Sequence, residues 1–458
     1  MADALYSLCR VAEPSLLPPT LGAVRDYLRR LADGFLYFYG EIIGWLTVSE
    51  DKIAGRVEVL YKTICEFLRM VVIELDNDDD AQLIFETLNA RGTPLLASDL
   101  VKNFLFRRAE MEGKEIEHLY GKYWKHFDDN DRYWQKKVGI GHAERARIDS
   151  FLQNFLTLKT KDEVPSGHIY ATYRQTILAD KESSSSDHLL VLQKYAEIYK
   201  KISELPRNTR FGISLRWLDI LGITTVNPFL LELFSLYETN DPEIEKTLLY
   251  IESYLVRRMV CQLPTRGYNR TFLDLLAVFS SNSSSISKQV YKTLSGFDAE
   301  SNRWPRNTEF RQSWLERPIY NLLRQQRLNL ILESLERGLH NDFTEDIEIK
   351  KKLTIEHIMP QEWRKNWPLP EGLSTDDAEV VRERLLHSIG NLTLLTMKLN
   401  PSVSNGAWNS KKEAIKKHSI LLLNKELDDQ PKWNEKTMEA RGKRLFKLAQ
   451  NIWPAPRD

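Results

Sequence analysis

Cysteine is scarce. The 458 residues hold three, Cys9, Cys65 and Cys261, scattered along the chain without the paired spacing of a zinc site or the even count of a secreted disulfide scaffold. Net charge is missing as well: 64 Lys+Arg balance 64 Asp+Glu, so no global field draws the chain onto nucleic acid or an anionic membrane, and any polyanion must be met by a local patch. No run of about 18 apolar residues occurs, the nearest being Phe67 to Leu75 and Leu421 to Leu423, which excludes a transmembrane helix. Met1 to Leu8 lacks a basic segment followed by an apolar core, so no signal peptide is read and a cytoplasmic location without membrane contact is expected. A Gly-rich phosphate loop of the Walker type is absent, which argues against NTP hydrolysis by this chain. Strand-like alternation is rare, and no repeat of fixed period is found.

What is present is helical spacing. Leu21, Val24, Leu28, Leu31, Phe35 and Phe38, then Val57, Leu60, Ile64, Phe67 and Val71, recur at three and four residues. The pattern continues through Ser150 to Leu158, His188 to Ile202 and Ile244 to Leu263, with polar breaks at Lys181 to Asp187 and Ser280 to Ser287. Ile319 to Leu339 reads as one long amphipathic helix. With 42% hydrophobic residues and roughly 100 to 200 residues per domain, about three domains with real cores are expected. The fold class is mainly α, a multidomain helical protein, with boundaries placed to give 1–112, 113–302 and 303–458.

The last region departs from the helical pattern. Leu353-Thr-Ile-Glu-His-Ile-Met-Pro360 has a β-branched approach to an adjacent Glu and His, and Pro360 helps to end the strand. Ile389-Gly-Asn-Leu-Thr-Leu-Leu395 reads as a second short strand, and a Lys-rich helix starts near Ser410. Strand, strand, helix is the resulting order. From Asn391 to the end there are 13 Lys+Arg against 7 Asp+Glu, a local positive excess in a neutral chain, of the kind that meets phosphates. Trp363, Trp367, Trp408, Trp433 and Trp453 read as packing residues, and His387 as structural.

This order resembles the ββα-metal, or HNH (His-Me finger), nuclease motif, with Glu356-His357 on the first strand, Asn391 at the second and Asn400 near the helix. The wider wording, Ile355-Glu-His-Ile-Met-Pro-Gln361 with His387-Ser-Ile-Gly-Asn-Leu-Thr-Leu-Leu395, Leu399-Asn400 and Ser404-Asn405, is similar to the C-terminal domain of GmrSD-type modification-dependent restriction endonucleases. The resemblance implies a metal-dependent endonuclease cutting DNA, modified in that family, in a phage-defence system. His357 would take the proton of the attacking water. Mg²⁺ or Mn²⁺ would neutralise the developing phosphoryl charge, with Glu356 and Asn400 as ligands. Asn391 would serve catalysis by holding the loop or the His357 ring, and Lys398, Lys411 and Lys412 would contact phosphates. The competing expectation is a silent DNA-binding or assembly subunit.

A second segment, Phe85-Glu-Thr-Leu-Asn-Ala-Arg-Gly-Thr-Pro-Leu with Asp99-Leu-Val-Lys-Asn103, reads locally as helix, tight loop, helix, with Ser98 capping the second helix. It resembles the distal part of the ParB-like nucleotide-handling domain of the same family, placing Asn89 and Arg91 at the edge of a nucleotide site. The Asp-Gly-Gln-Gln-Arg motif associated with that domain is not in the sequence, so residues 1–112 read as its back portion. A separately encoded front piece, or a homo-oligomer, is the partner this implies. In the middle region Arg257, Arg258, Arg266 and Arg270 make either a phosphate-facing cluster or buried pairs.

Overall fold

A computed structural model describes residues 22–48, 53–68, 96–129, 133–139, 144–280, 285–340, 353–369, 374–399 and 405–456. Asn89, Arg91 and Asn400, three of the residues singled out by sequence, lie outside these stretches. The chain divides into two units, 1–88 and 89–458. In the first, the heptad-like spacing produces α1 (Gly22–Leu46) and α2 (Ile53–Lys62), the latter continued by a wider π turn over Thr63–Phe67.

The second unit is also mainly helical. It opens with α3 (Ala97–Met111). Ser98 does not cap this helix: it lies inside the first turn, and its N–H donates to the Asp149 carboxylate at 2.9 Å. Asp149 sits on α4 (Arg147–Thr160), so an acceptor from a neighbouring helix replaces the local cap. A two-stranded antiparallel ribbon, β1 (Lys137–Val138) with β2 (Arg145–Ala146), precedes α4. The polar break at Lys181 to Asp187 ends in a capping box, Ser184 with Asp187, which starts α5 (Ser185–Glu204). α6 (Arg210–Leu221) stops at Gly222, whose φ of 70° is the left-handed conformation that only glycine adopts cheaply.

α7 (Pro242–Val260) runs through the centre, every residue from Ile251 to Val260 buried. Ile251, Tyr254 and Leu255 face a core built from residues between Leu100 and Trp304. Val256, Met259 and Val260 face another, shared with Trp314, Leu332, Leu445 and Trp453. One helix thus serves both cores, and residues on either side of position 302 share a single interior.

Ile319 to Leu339 is not one helix. A single turn, Ile319–Leu322, is followed by extended backbone at Leu323 and Arg324, and α8 spans Gln325–Leu339. Tyr320 lies in the first turn after Pro318, and its N–H, without an intrahelical partner there, donates to His387 O at 3.1 Å. After α8 come β3 (Leu353–His357), α9 (Thr375–Leu386, capped by Ser374), β4 (Leu392–Thr396), α10 (Trp408–His418) and α11 (Glu435–Ile452, opened by an Asn434–Thr437 capping box).

β3 and β4 are antiparallel, Leu353 opposite Thr396 and His357 opposite Leu392. The second strand starts three residues later than its sequence suggests, because Ile389–Asn391 form a 3-10 turn. That turn is set by α11: a Cβ on Gly390 would fall 2.2 Å from Met438 O, so only glycine lets the helix approach. Arg441, buried on α11, donates to Gly390 O at 3.1 Å and Leu392 O at 2.7 Å. Trp363, Trp367, Trp408 and Trp433 are buried in a third apolar cluster beside the strands. No helix of the described residues is long and apolar enough to cross a membrane.

Candidate active site

Adjacent residues on a strand face opposite sides, and Glu356 and His357 do so at the end of β3. Glu356 meets α10. Its carboxylate pairs with Lys411 Nζ, the two side chains 9% and 0% exposed, and the same ammonium donates to His357 O at 2.6 Å. Burial raises the pKa of the Glu356 carboxyl and lowers that of the Lys411 ammonium, and in each case the partner's opposite charge offsets part of the shift. Trp408, Lys411 and Ile415 are the buried residues of α10, three and four positions apart, so the lysine sits on the helix face that docks on the strand.

His357 turns to the other side, 6% exposed. Its Nε2 is 3.2 Å from His387 Nδ1, and Gln361 Nε2 approaches its Nδ1 at 3.4 Å. The Tyr320 ring stands edge-on to His357, centroids 4.3 Å apart, and stacks on His387 at 5.7 Å and 18°. Burial, then the proximity of His387 and Lys411, pushes the His357 imidazole down to about 3. Burial lowers His387 too, against the pull of Glu383. Both rings are therefore neutral near pH 7. A neutral imidazole has one N–H and one acceptor nitrogen, so in the Nε2–H tautomer of His357 the Gln361 amide donates to its Nδ1 and its own Nε2–H donates to His387 Nδ1.

Asn391 holds the two loops that carry these rings. Its Oδ1 accepts from Met359 N–H (2.8 Å) and Trp433 Nε1–H (3.0 Å), while its Nδ2 donates to Met359 O and Leu386 O, both at 2.9 Å. Its backbone O accepts from Ile358 N–H at 2.8 Å. It is fully buried and clasps the backbone on either side of the imidazole pair, making no hydrogen bond to the His357 ring among those described.

The remaining sequence-derived residues fall elsewhere. Lys398 is exposed just beyond β4. Lys412 is half-buried, its Nζ 3.4 Å from Gln430 O and above the Trp408 ring. Lys411, with its charge spent on Glu356 inside the protein, is not a surface phosphate contact. Arg257 and Arg258 are buried and donate mainly to backbone carbonyls, Arg257 to Trp453 O at 2.9 Å and Arg258 to Arg303 O at 2.7 Å. Arg266 is exposed and Arg270 pairs with Asp274 at 2.9 Å, so these four arginines form no phosphate cluster.

Tyr320 and Gln361 are members that sequence reasoning did not single out, and His387 is one that it read as structural. Gln361 lies in the quoted motif and His387 three residues before Gly390, but their convergence depends on a contact spanning 30 residues.

Among the described residues no group of three or more His, Cys, Asp or Glu side chains is placed to hold a metal ion, and the Glu356 carboxylate is already neutralised by Lys411. The described donors do not by themselves fit a Mg²⁺ site.

Two family models match the chain. Residues 304–448 match the C-terminal domain of GmrSD restriction endonucleases, and residues 22–106 match the N-terminal domain of GmrSD restriction endonuclease. A comparison with curated proteins finds no match. The C-terminal match contains β3, β4, α10 and the whole imidazole cluster, and the two matches together span half of the chain. The chain belongs to the GmrSD restriction endonuclease family.

Proposed function

We propose that this chain is an HNH-type DNA endonuclease of a restriction system that cuts modified foreign DNA, with His357 as the general base. The observation that carries the reading is the placement of His357: the last residue of β3, neutral, hydrogen-bonded on both ring nitrogens, on a strand that pairs with β4 across the intervening α9 and is followed by α10, all within the match to a restriction endonuclease domain. A neutral ring can accept the proton that water must lose as it attacks phosphorus, a role worth about two to four orders of magnitude in rate when the ring's pKa lies near the working pH. Held down to about 3 in the resting protein, the His357 ring reaches that range only with the negative charge of a bound phosphate beside it. Among the described residues Lys398 is the exposed cation nearest in sequence to the strands and the retained phosphate contact, joined by Lys412 once it leaves Gln430. In this reading residues 303–458 supply the chemistry and 113–302 the scaffold. Residues 1–112 supply the distal part of a ParB-like sensor domain, with Asn89 and Arg91 at the edge of its nucleotide site.

Family membership suggests a divalent ion. Glu356 can serve one only if Lys411 releases it, and Asn400 lies outside the described residues. That pairing favours a second reading, a DNA-binding subunit without cleavage. Incubation of the protein with plasmid and with phage DNA carrying modified bases, in Mg²⁺, in Mn²⁺ and in EDTA, separates the two. Nicking or linearisation supports the endonuclease, and loss of it in EDTA supports metal dependence. Retention of DNA without any cleavage supports the binding subunit.

A further inference from the structure

Resting on the nuclease reading, we propose that His387 is a second functional imidazole, which receives through the His357 Nε2···His387 Nδ1 contact the proton that His357 draws from the attacking water. The contact is 3.2 Å, within hydrogen-bond reach, and one Tyr320 ring packs against both imidazoles and fixes their angle. The backbone is fixed as well, since Tyr320 N–H donates to His387 O and the Asn391 amide binds both Leu386 O and Met359.

Exposure differs between the rings. His357 is 6% exposed, whereas His387 is partly open to solvent. A cation is better hydrated on the partly open outer ring than on the inner one, so the charge has a downhill direction. Burial also lowers the pKa of the His387 ring, and Glu383, one helical turn earlier, offsets part of that shift.

The step balances with both rings as Nε2–H tautomers. The water O–H bond breaks, and its electron pair stays on oxygen and forms the bond to phosphorus. As it does so the bond from phosphorus to the departing sugar oxygen breaks, that oxygen taking a proton from solvent. The water's proton forms an N–H bond at His357 Nδ1, where Gln361 now sits at 3.4 Å. The Nε2–H proton of His357 passes to His387 Nδ1, and His387 gives its own Nε2–H proton to solvent. Both rings leave the step neutral as Nδ1–H tautomers, and each needs only a tautomer exchange before the next turnover.

The test uses full-length wild type, His387→Ala, His387→Gln and the remote control His168→Ala, each checked for unchanged circular dichroism and DNA retention. Cleavage by His387→Ala is expected to fall about 10- to 100-fold, and added imidazole is expected to restore a large part of it, because a free ring can enter the space left beside His357. His387→Gln, which hydrogen-bonds but does not shuttle protons, stays slow, and His168→Ala cuts normally. NMR of wild type with nitrogen-labelled histidine should show a coupling across the Nε2–H···Nδ1 bond. An active wild type with His387→Ala equally fast, or slow and unresponsive to imidazole, overturns the relay and leaves the nuclease reading standing. A wild type that cuts no DNA overturns the nuclease reading and the relay with it.

Discussion

Replacing Lys411 with methionine removes an ammonium from a carboxylate that has almost no water to turn to. The two side chains are 0% and 9% exposed, and the same Nζ also satisfies His357 O at 2.6 Å. Removing one partner of so buried a pair leaves an uncompensated charge and costs about 3 to 5 kcal/mol, whereas exchanging both partners for apolar residues is close to neutral. Lys411→Met is therefore expected to lower the urea midpoint markedly, and the double variant Glu356→Leu, Lys411→Met to recover most of the loss, to within about 1 kcal/mol of wild type. Tryptophan fluorescence reports the transition, since Trp363, Trp367, Trp408 and Trp433 surround α10 and the strands. Because the chain holds two units, the relevant transition is the one these tryptophans report. If Lys411→Met instead unfolds like wild type while binding DNA more weakly, with a salt dependence shallower by about one, the lysine is a phosphate contact and the buried pair is wrong.

Asn391→Ala leaves four buried partners of the amide unsatisfied and is expected to cost about 3 kcal/mol or more, with no rescue by Asn391→Asp, whose second oxygen would face two carbonyls; an inactive Asn391→Ala of wild-type stability would show that the amide acts in the chemistry. Stability should also fall as pH drops below the ordinary imidazole value. The His357 ring, at 6.5 when free and about 3 when folded, takes a proton in the unfolded chain and refuses it in the folded one, so the unfolded state gains as acid is added. Between pH 6.5 and 5 this ring costs about 2 kcal/mol, at about 1.4 kcal/mol per unit, and His357→Gln should flatten that part of the urea-midpoint curve; an equal slope in both proteins contradicts the burial assigned to His357.

The residues of the candidate site that sit in contiguous wording were legible. Glu356, His357 and Asn391 stand in order on short apolar segments, and the role of Asn391 as a loop holder follows from a buried amide after Gly390. The inward turn of Lys411 was not legible: Trp408 and Ile415 frame it on one helix face, but two adjacent lysines give no local sign of which one a strand will cover. The start of β4 was misplaced because the close approach of Met438 O to Gly390 is a tertiary fact. So are the carboxylate of Asp149 at the start of α3 and the meeting of Tyr320, His357 and His387. Helix periodicity fixes which faces are apolar; it carries no information about which polar groups from distant elements will share one small volume.

The most direct measurement is the rate of phosphodiester cleavage on DNA that the wild type cuts, compared with His357→Ala at equal DNA occupancy. A drop of about two to four orders of magnitude, with folding and DNA retention intact, is the result expected of a ring that takes the water's proton. Cleavage by His357→Ala at the wild-type rate would show that the imidazole at the end of β3 is only a packed residue.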